Sequence, residues 1–345
     1  MNIAATQLWL DVAHIPEVLE STAQADGLTS ASKLMRSGST RRLVAVGNGA
    51  SSYIAQALWL ASLEGETRPP VDVVAIPAGL LGTGRLRWTD EDAILAISAS
   101  GEARDLIAAL QALPPSVQKI AVTSSPDSTI AGLCDAVITV ATAPQRTMTH
   151  SHAYCGAAQA CLSFWAEVTG DAGLRAAVDG AAQTVANGLE RSVSWAEHVL
   201  DGAELPTAAF AFGAGTGWAA AMEASLLVKE LAQIPGEGVE LREAATTVMT
   251  TLQPGHLVVD LTPHDPAAGE ADAACEGRGA RVVRIDQPAG LDSRLAPIST
   301  FTDMTALATG LALAAGRDPD TPAWTDTYLE VARPQGAQNH LPAPR

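Results

Sequence analysis

The chain has 345 residues, is 47% hydrophobic but only 4% aromatic, and carries a formal net charge of −17. That length exceeds what one typical core uses, so one large or two medium domains are expected, and the aliphatic bias suits parallel strands covered on both faces by helices. So acidic a surface makes nucleic acid and anionic membranes poor partners, while a small anion remains compatible with a local cluster of backbone N–H groups. Cys134, Cys155, Cys161 and Cys275 show no CxxC pairing and read as reduced thiols of a cytosolic protein. The first residues lack a basic segment followed by an uninterrupted apolar one, and no stretch approaches an uncharged membrane span. A soluble, cytoplasmic protein is expected.

Residues 7–37 read as helical, with Leu8, Val12, Ile15, Val18 and Leu19 at helical spacing. A strand at 43–46 leads through Gly47-Asn48-Gly49-Ala50-Ser51-Ser52 into a long apolar helix ending near Leu63. Further strands are expected at 71–76, 92–97, 119–123 and 136–140, with Ser98-Ala99-Ser100-Gly101-Glu102 and a helix over 105–113 following the third. Residues 154–200 form a helical connection interrupted near Gly170. The pattern then returns: a strand at 207–212, the turn Gly213-Ala214-Gly215-Thr216-Gly217, a helix over 218–231, and strands at 257–261 and 281–285. Each falls roughly 160–170 residues after its counterpart, a period of domain size. After Gly316, a proline-rich tail is expected to be extended and partly disordered. Alternating strands and helices argue for an α/β fold of two three-layer halves with parallel sheets, related by internal duplication. The expected division is a helical segment at 1–38, domains at 39–168 and 204–316, a helical connection at 169–203, and a tail at 317–345.

Ligands of such sheets bind where strands end and helices begin. Helix N-termini with serine hydroxyls make a neutral anion cradle that needs no lysine. One Ser/Gly loop alone is ordinary helix-cap chemistry; two at matching positions in one half are a stronger signal.

These segments also carry a resemblance. VAVGNGASSYIAQ resembles the first motif of sugar isomerase (SIS) domains, and ISASGEARD resembles their phosphate-holding Ser-x-Ser-Gly-Glu motif. FGAGTGWAAAMEASLLVKELAQIPGEGVELREA is similar to the glutamate-rich block of the glucosamine-6-phosphate synthase isomerase module. LDVAHIPEVL and GRDPDTP resemble the opening and closing segments of such modules, so the likeness runs from about Leu10 to about Pro322. The plan is nearest to stand-alone sugar-phosphate isomerases, deaminases and fructosamine deglycases. The resemblance implies a phosphosugar ligand contacted by Gly49, Ser51, Ser52, Ser98, Ala99, Ser100 and Gly101, with Glu243 lining the site. It implies that Glu230 moves a proton between C1 and C2 of the open-chain sugar, with a pKa raised by burial. Read without it, Glu230 is a surface residue beside Lys229.

The departures fall on basic and hydroxyl positions. Ala103 stands where the family has a threonine, Leu227 where the block has its first lysine, and Thr246 where a ring-opening histidine is expected. The tail lysine is absent around Thr327, and His150-Ser151-His152 replaces an expected Thr-Lys pair. Three readings stay open: a different substrate, already open-chain or amine-bearing; His150 or His152 as the ring-opening acid, with His152 the candidate catalytic residue; or binding without catalysis. The two histidines suit a metal only weakly, because no acidic or cysteine ligand lies nearby in sequence. His256 and His264 take structural or solvent roles by default; Arg85, Arg87 and Glu237 read as solvated charges, and Glu223 and Glu243 read equally well so.

A dinucleotide site is rejected, because Trp218 occupies the third glycine position of the fingerprint in GAGTGW. No metal or cofactor is expected. The expected function is an aldose–ketose isomerase or aminosugar-phosphate deaminase acting as a homodimer with its site near the subunit interface. The alternative is a non-catalytic sugar-phosphate sensor.

Overall fold

The structure is a computed structural model that describes residues 2–37, 40–65, 69–81, 84–262 and 264–325. In chain order it gives α1 (Gln7–Val12), α2 (Ile15–Thr22), α3 (Leu28–Ser37), β1 (Arg42–Gly47), α4 (Ala50–Leu63), β2 (Asp72–Pro77) and α5 (Ala78–Leu81). Next come β3 (Asp92–Ile97), α6 (Arg104–Ala112), β4 (Gln118–Thr123), α7 (Thr129–Gly132), β5 (Ala136–Thr139), α8 (His152–Thr169), α9 (Ala172–Asp179) and α10 (Ala181–Leu200). The remainder is β6 (Ala208–Gly213), α11 (Thr216–Leu227), β7 (Gly238–Glu240), β8 (His256–Asp260), α12 (Ala268–Gly277), β9 (Arg281–Arg284), α13 (Ala296–Ser299) and α14 (Phe301–Ala314).

The chain divides into two compact units. Among the described residues, one comprises those within 14–146, 150–182 and 323–325, and holds a five-stranded parallel sheet in the order β2-β1-β3-β4-β5. We call it the first-sheet unit. Its central strands are apolar and almost wholly buried, as parallel strands covered on both faces must be. Val44, Val46, Ile94, Ala96 and Ala121 pack beneath Leu106, Ala109 and Leu110 of α6. The β1–β3 register is pinned at its start by paired residues, Arg42 against Asp92, whose guanidinium and carboxylate meet at 2.8 and 2.9 Å. Burial works against the Asp92 charge, but Arg42 and the Thr89 N–H outweigh it and hold the carboxyl below its usual range.

The other, the second-sheet unit, comprises residues 1–13, 147–149 and 183–322, with a four-stranded parallel sheet in the order β7-β6-β8-β9. Both chain ends of this unit are tied together: the Asp320 carboxylate accepts from the Gln7 and Leu8 N–H groups, each at 2.9 Å, and so caps α1. The closing GRDPDTP segment thus has a structural task. Asp318 supports it, accepting from Thr321 Oγ1 and the Asp320 N–H, and these bonds lower its pKa.

Some sequence expectations need adjustment. The helical stretch expected over 7–37 is three helices, the second started by Pro16 in its first turn. The helix expected over 218–231 ends at Leu227 and continues as a π-helical turn, Val228–Ala232, closed by Gln233 in the left-handed conformation. β7 is an additional strand, only three half-buried residues long. Most of the expected extended tail lies outside the described residues.

Candidate functional site

The order β2-β1-β3-β4-β5 reverses between β1 and β3, and ligands of open α/β sheets bind outside the carboxyl ends of the strands at such a reversal. Val46 pairs with Ala96, so the two chains leave the sheet at the same height on neighbouring strands, about 5 Å apart. The first exit is Gly47-Asn48-Gly49, with Gly49 as the N-cap of α4 at φ 53° and no side-chain cap. Ser51 and Ser52 follow in the first turn of α4, both half-buried. The second exit is Ser98-Ala99-Ser100-Gly101.

This second loop is held by its own bonds. Ser98, 6% exposed, donates its N–H to Val122 O, and its carbonyl and hydroxyl both accept from the Gly101 N–H. The Ala99 carbonyl accepts from Ser124 N and Thr123 Oγ1, and Ser100 Oγ accepts from Glu102 N at 3.3 Å. Gly101 has φ +66°, and a Cβ there would lie 1.9 Å from Ser128 Oγ. Only glycine closes this turn, both for conformation and for space. Ala99 is half-buried and Ser100 is exposed at the tip. Ala103 sits at the N-cap of α6 in extended backbone with no side-chain cap, so the absent threonine hydroxyl leaves a helix N-terminus uncapped beside the loop. The first-sheet unit therefore brings Gly49, Ser51, Ser52, Ser98, Ala99, Ser100 and Gly101 to the carboxyl end of one sheet.

His152 belongs to the same unit as the first residue of α8 and is 3% exposed, while His150 is exposed. Among the described residues no group of three or more His, Cys, Asp or Glu is placed to hold a metal.

Glu230 and Glu243 belong to the second-sheet unit. Glu230 lies in the π turn and is half-buried beside an exposed Lys229, not on a fully solvated face. Burial pushes its carboxyl up to about 7, with the Lys229 charge working the other way. Glu223, two α-helical turns earlier, is 2% exposed, against the solvated-charge reading. Burial, and then the Glu230 charge, hold it well above the usual carboxylate range. Leu227, between them in sequence, is 1% exposed. Glu243 is exposed at the start of a short 3-10 turn, accepting from Thr246 Oγ1, and its N–H is held by Glu240. Neither the π turn nor the burial of Glu223 carries a signal in the sequence. A π turn inserts a residue into a helix and re-aims the side chains beyond it, which bears on Glu230 and not on Glu223.

Against known proteins, residues 39–164 match the SIS domain family. No curated protein matches the chain in sequence. Among solved structures, the chain is similar to the C-terminal domain of glucosamine-fructose-6-phosphate aminotransferase from Francisella tularensis, at 17% identity, TM-score 0.77, covering 92% of this chain and 98% of that one. It is similar to glucosamine-6-phosphate deaminase from Thermotoga maritima, at 16% identity and TM-score 0.74, covering 92% and 98%. It is also similar to tagatose-6-phosphate ketose/aldose isomerase from Escherichia coli, at 16% identity and TM-score 0.71, covering 94% and 97%.

Proposed function

We propose, from the match of residues 39–164 to the SIS domain family, that the protein binds a phosphosugar through the β1 and β3 exit loops and interconverts aldose and ketose forms or deaminates an aminosugar phosphate. The observation that carries the binding half is the placement of the two Ser/Gly loops side by side at the strand-order reversal. The α4 N-terminus and the Ser98–Gly101 turn present N–H groups and hydroxyls, which suit a phosphate dianion even on a protein of strongly negative net charge. The relatives named above act on phosphosugars by their own names, and that agreement supports the choice of ligand.

Glu230 supplies the proton transfer in this reading. A carboxyl near pKa 7 is about half ionised at neutral pH, so it can take a proton from one carbon of an open-chain sugar and return it to the neighbour. His152 is the candidate ring-opening acid, Glu243 a candidate sugar contact, and the active form a homodimer in the cytoplasm. Among the described residues no helix is long and apolar enough to cross a membrane.

A second reading, binding without turnover, is favoured by one specific observation: Leu227 and Thr246 occupy the positions where the family resemblance calls for a lysine and a histidine. NMR monitoring of glucosamine-6-phosphate and fructose-6-phosphate decides between them. Conversion by the wild type, lost by about 10²–10⁴-fold in Glu230→Gln with binding retained, supports the enzyme. Tight binding with no conversion of either compound supports the sensor.

A further inference from the structure

The two sheets share a topology, which allows their cores to be compared position by position. β7-β6-β8-β9 repeats the order β2-β1-β3-β4, and Gly49 and Gly215 cap α4 and α11 at the same φ of 53°. Val46 pairs with Ala96 as Phe212 pairs with Asp260, and Ala96 pairs with Ala121 as Asp260 pairs with Arg284. The buried residues of α6 and the residue after it, Leu106, Ala109, Leu110 and Leu113, have the same spacing as Ala268, Ala271, Asp272 and Cys275 on α12. Where the first-sheet unit packs Ala96, Ala121 and Leu110 together, the second-sheet unit thus has Asp260, Arg284 and Asp272.

Two of these three residues are joined directly. Arg284 Nε donates to Asp272 Oδ2 at 2.5 Å, and Nη2 reaches Glu276 at 3.3 Å. Asp260 is 0% exposed and Asp272 is 2% exposed. Asp260 Oδ2 and Asp272 Oδ1 are both buried without a hydrogen-bond partner. The other oxygen of Asp260 accepts from Thr262 N at 2.9 Å, and Thr262 Oγ1 accepts from Ala214 N at 3.0 Å in the turn that starts α11. Around Asp260, α12 presents Asp272, Cys275 and Glu276, and β9 with its exit presents Arg284 and Asp286. The exposed His264 lies 3.3 Å from Asp286. β6, the other neighbouring strand, has no titratable residue.

We infer that the Asp260–Arg284–Asp272 triad is a proton-operated latch: one proton taken up by the two buried carboxyls seats α12 on the sheet and fixes the loop that leads to the start of α11. Asp272 and Glu276 both pair with one half-exposed guanidinium, and the buried Asp260 lies within reach of the Arg284 and Asp272 charges, so the fully ionised cluster holds more negative than positive charge. The direction of the pKa shifts agrees: burial first, then the neighbouring acids, lift Asp260 to about 6, and Asp272 is also raised. A carboxyl whose folded pKa exceeds its unfolded one binds its proton more tightly in the native state. The latch therefore strengthens as pH falls through about 6, and its gain is complete below the unfolded value near 4.

The test is hydrogen exchange of the full-length protein, with protection in α12 corrected for the intrinsic pH dependence. Wild-type protection over 268–277 should rise roughly tenfold or more from about pH 8 to about pH 5. In Asp260→Asn it should be nearly flat and already high at pH 8. The triple variant Asp260→Ala, Asp272→Leu, Arg284→Ala, which installs the residues of the other core, should be flat as well. A wild-type profile without this rise overturns the latch, as does an Asp260→Asn profile that keeps the wild-type slope. The wild-type measurement decides by itself if a variant fails to fold.

Discussion

Ala103 leaves the N-terminus of α6 without a side-chain cap beside the proposed phosphate loop. It caps α6 with nothing to offer the helix N–H groups, and its backbone, at φ −67° and ψ 113°, is the extended form that a capping threonine adopts. Ala103→Thr is expected to raise stability by about 1 kcal/mol in denaturant unfolding and to tighten phosphate binding, since its hydroxyl joins the loop. Gly101 runs the other way. Gly101→Ala forces a Cβ against Ser128 Oγ at a left-handed φ, and thermal unfolding should show a loss of about 1–3 kcal/mol together with weakened ligand binding. For Glu230, the sign of the pH dependence comes from the role as a base proposed for it. It acts when ionised, so turnover should rise with pH and level off above about 7, a limb that Glu230→Gln removes.

At the scale of elements, the strands and their exit loops were legible because each carries its signal locally. β3 is apolar at every position from Ala93 to Ile97, bounded by Asp92 and by the Ser/Gly turn, and its expected and observed bounds coincide. β7 carried no such signal. It is short and half-buried, and it survives by pairing with β6 while Gly236, where a Cβ would lie 1.6 Å from Ala209 O, lets the chain pass. The π turn under Glu230 was equally illegible, since it depends on what α14 packs against it and not on its own composition. The candidate phosphate residues were readable from Ser and Gly at strand ends. The burial of Glu223, and the acids that replace apolar residues under α12, were not, because the alanine-rich α11 and α12 lack the apolar periodicity that marks a buried helix face. The cap on α1 likewise joins residues over three hundred positions apart. Asp320→Ala should cost about 0.5–2 kcal/mol and expose α1 to exchange first.

Over the whole molecule, one topology appears twice and is used differently. The first sheet places hydroxyls and N–H groups at its strand-order reversal. At the same reversal the second places the Gly213-Ala214-Gly215 turn, Asp260 and Thr262, tied together by hydrogen bonds. The net charge of −17 repels a sugar phosphate at long range, so the binding proposed above rests on local N–H and hydroxyl groups and not on field steering. Calorimetric titration of wild type and of the double variant Ser98→Ala, Ser100→Ala with glucosamine-6-phosphate, fructose-6-phosphate and the unphosphorylated sugars tests this most directly. Binding should require the phosphate and weaken by about tenfold or more in the variant. Equal binding of phosphorylated and unphosphorylated sugars, or an unchanged variant, would contradict it.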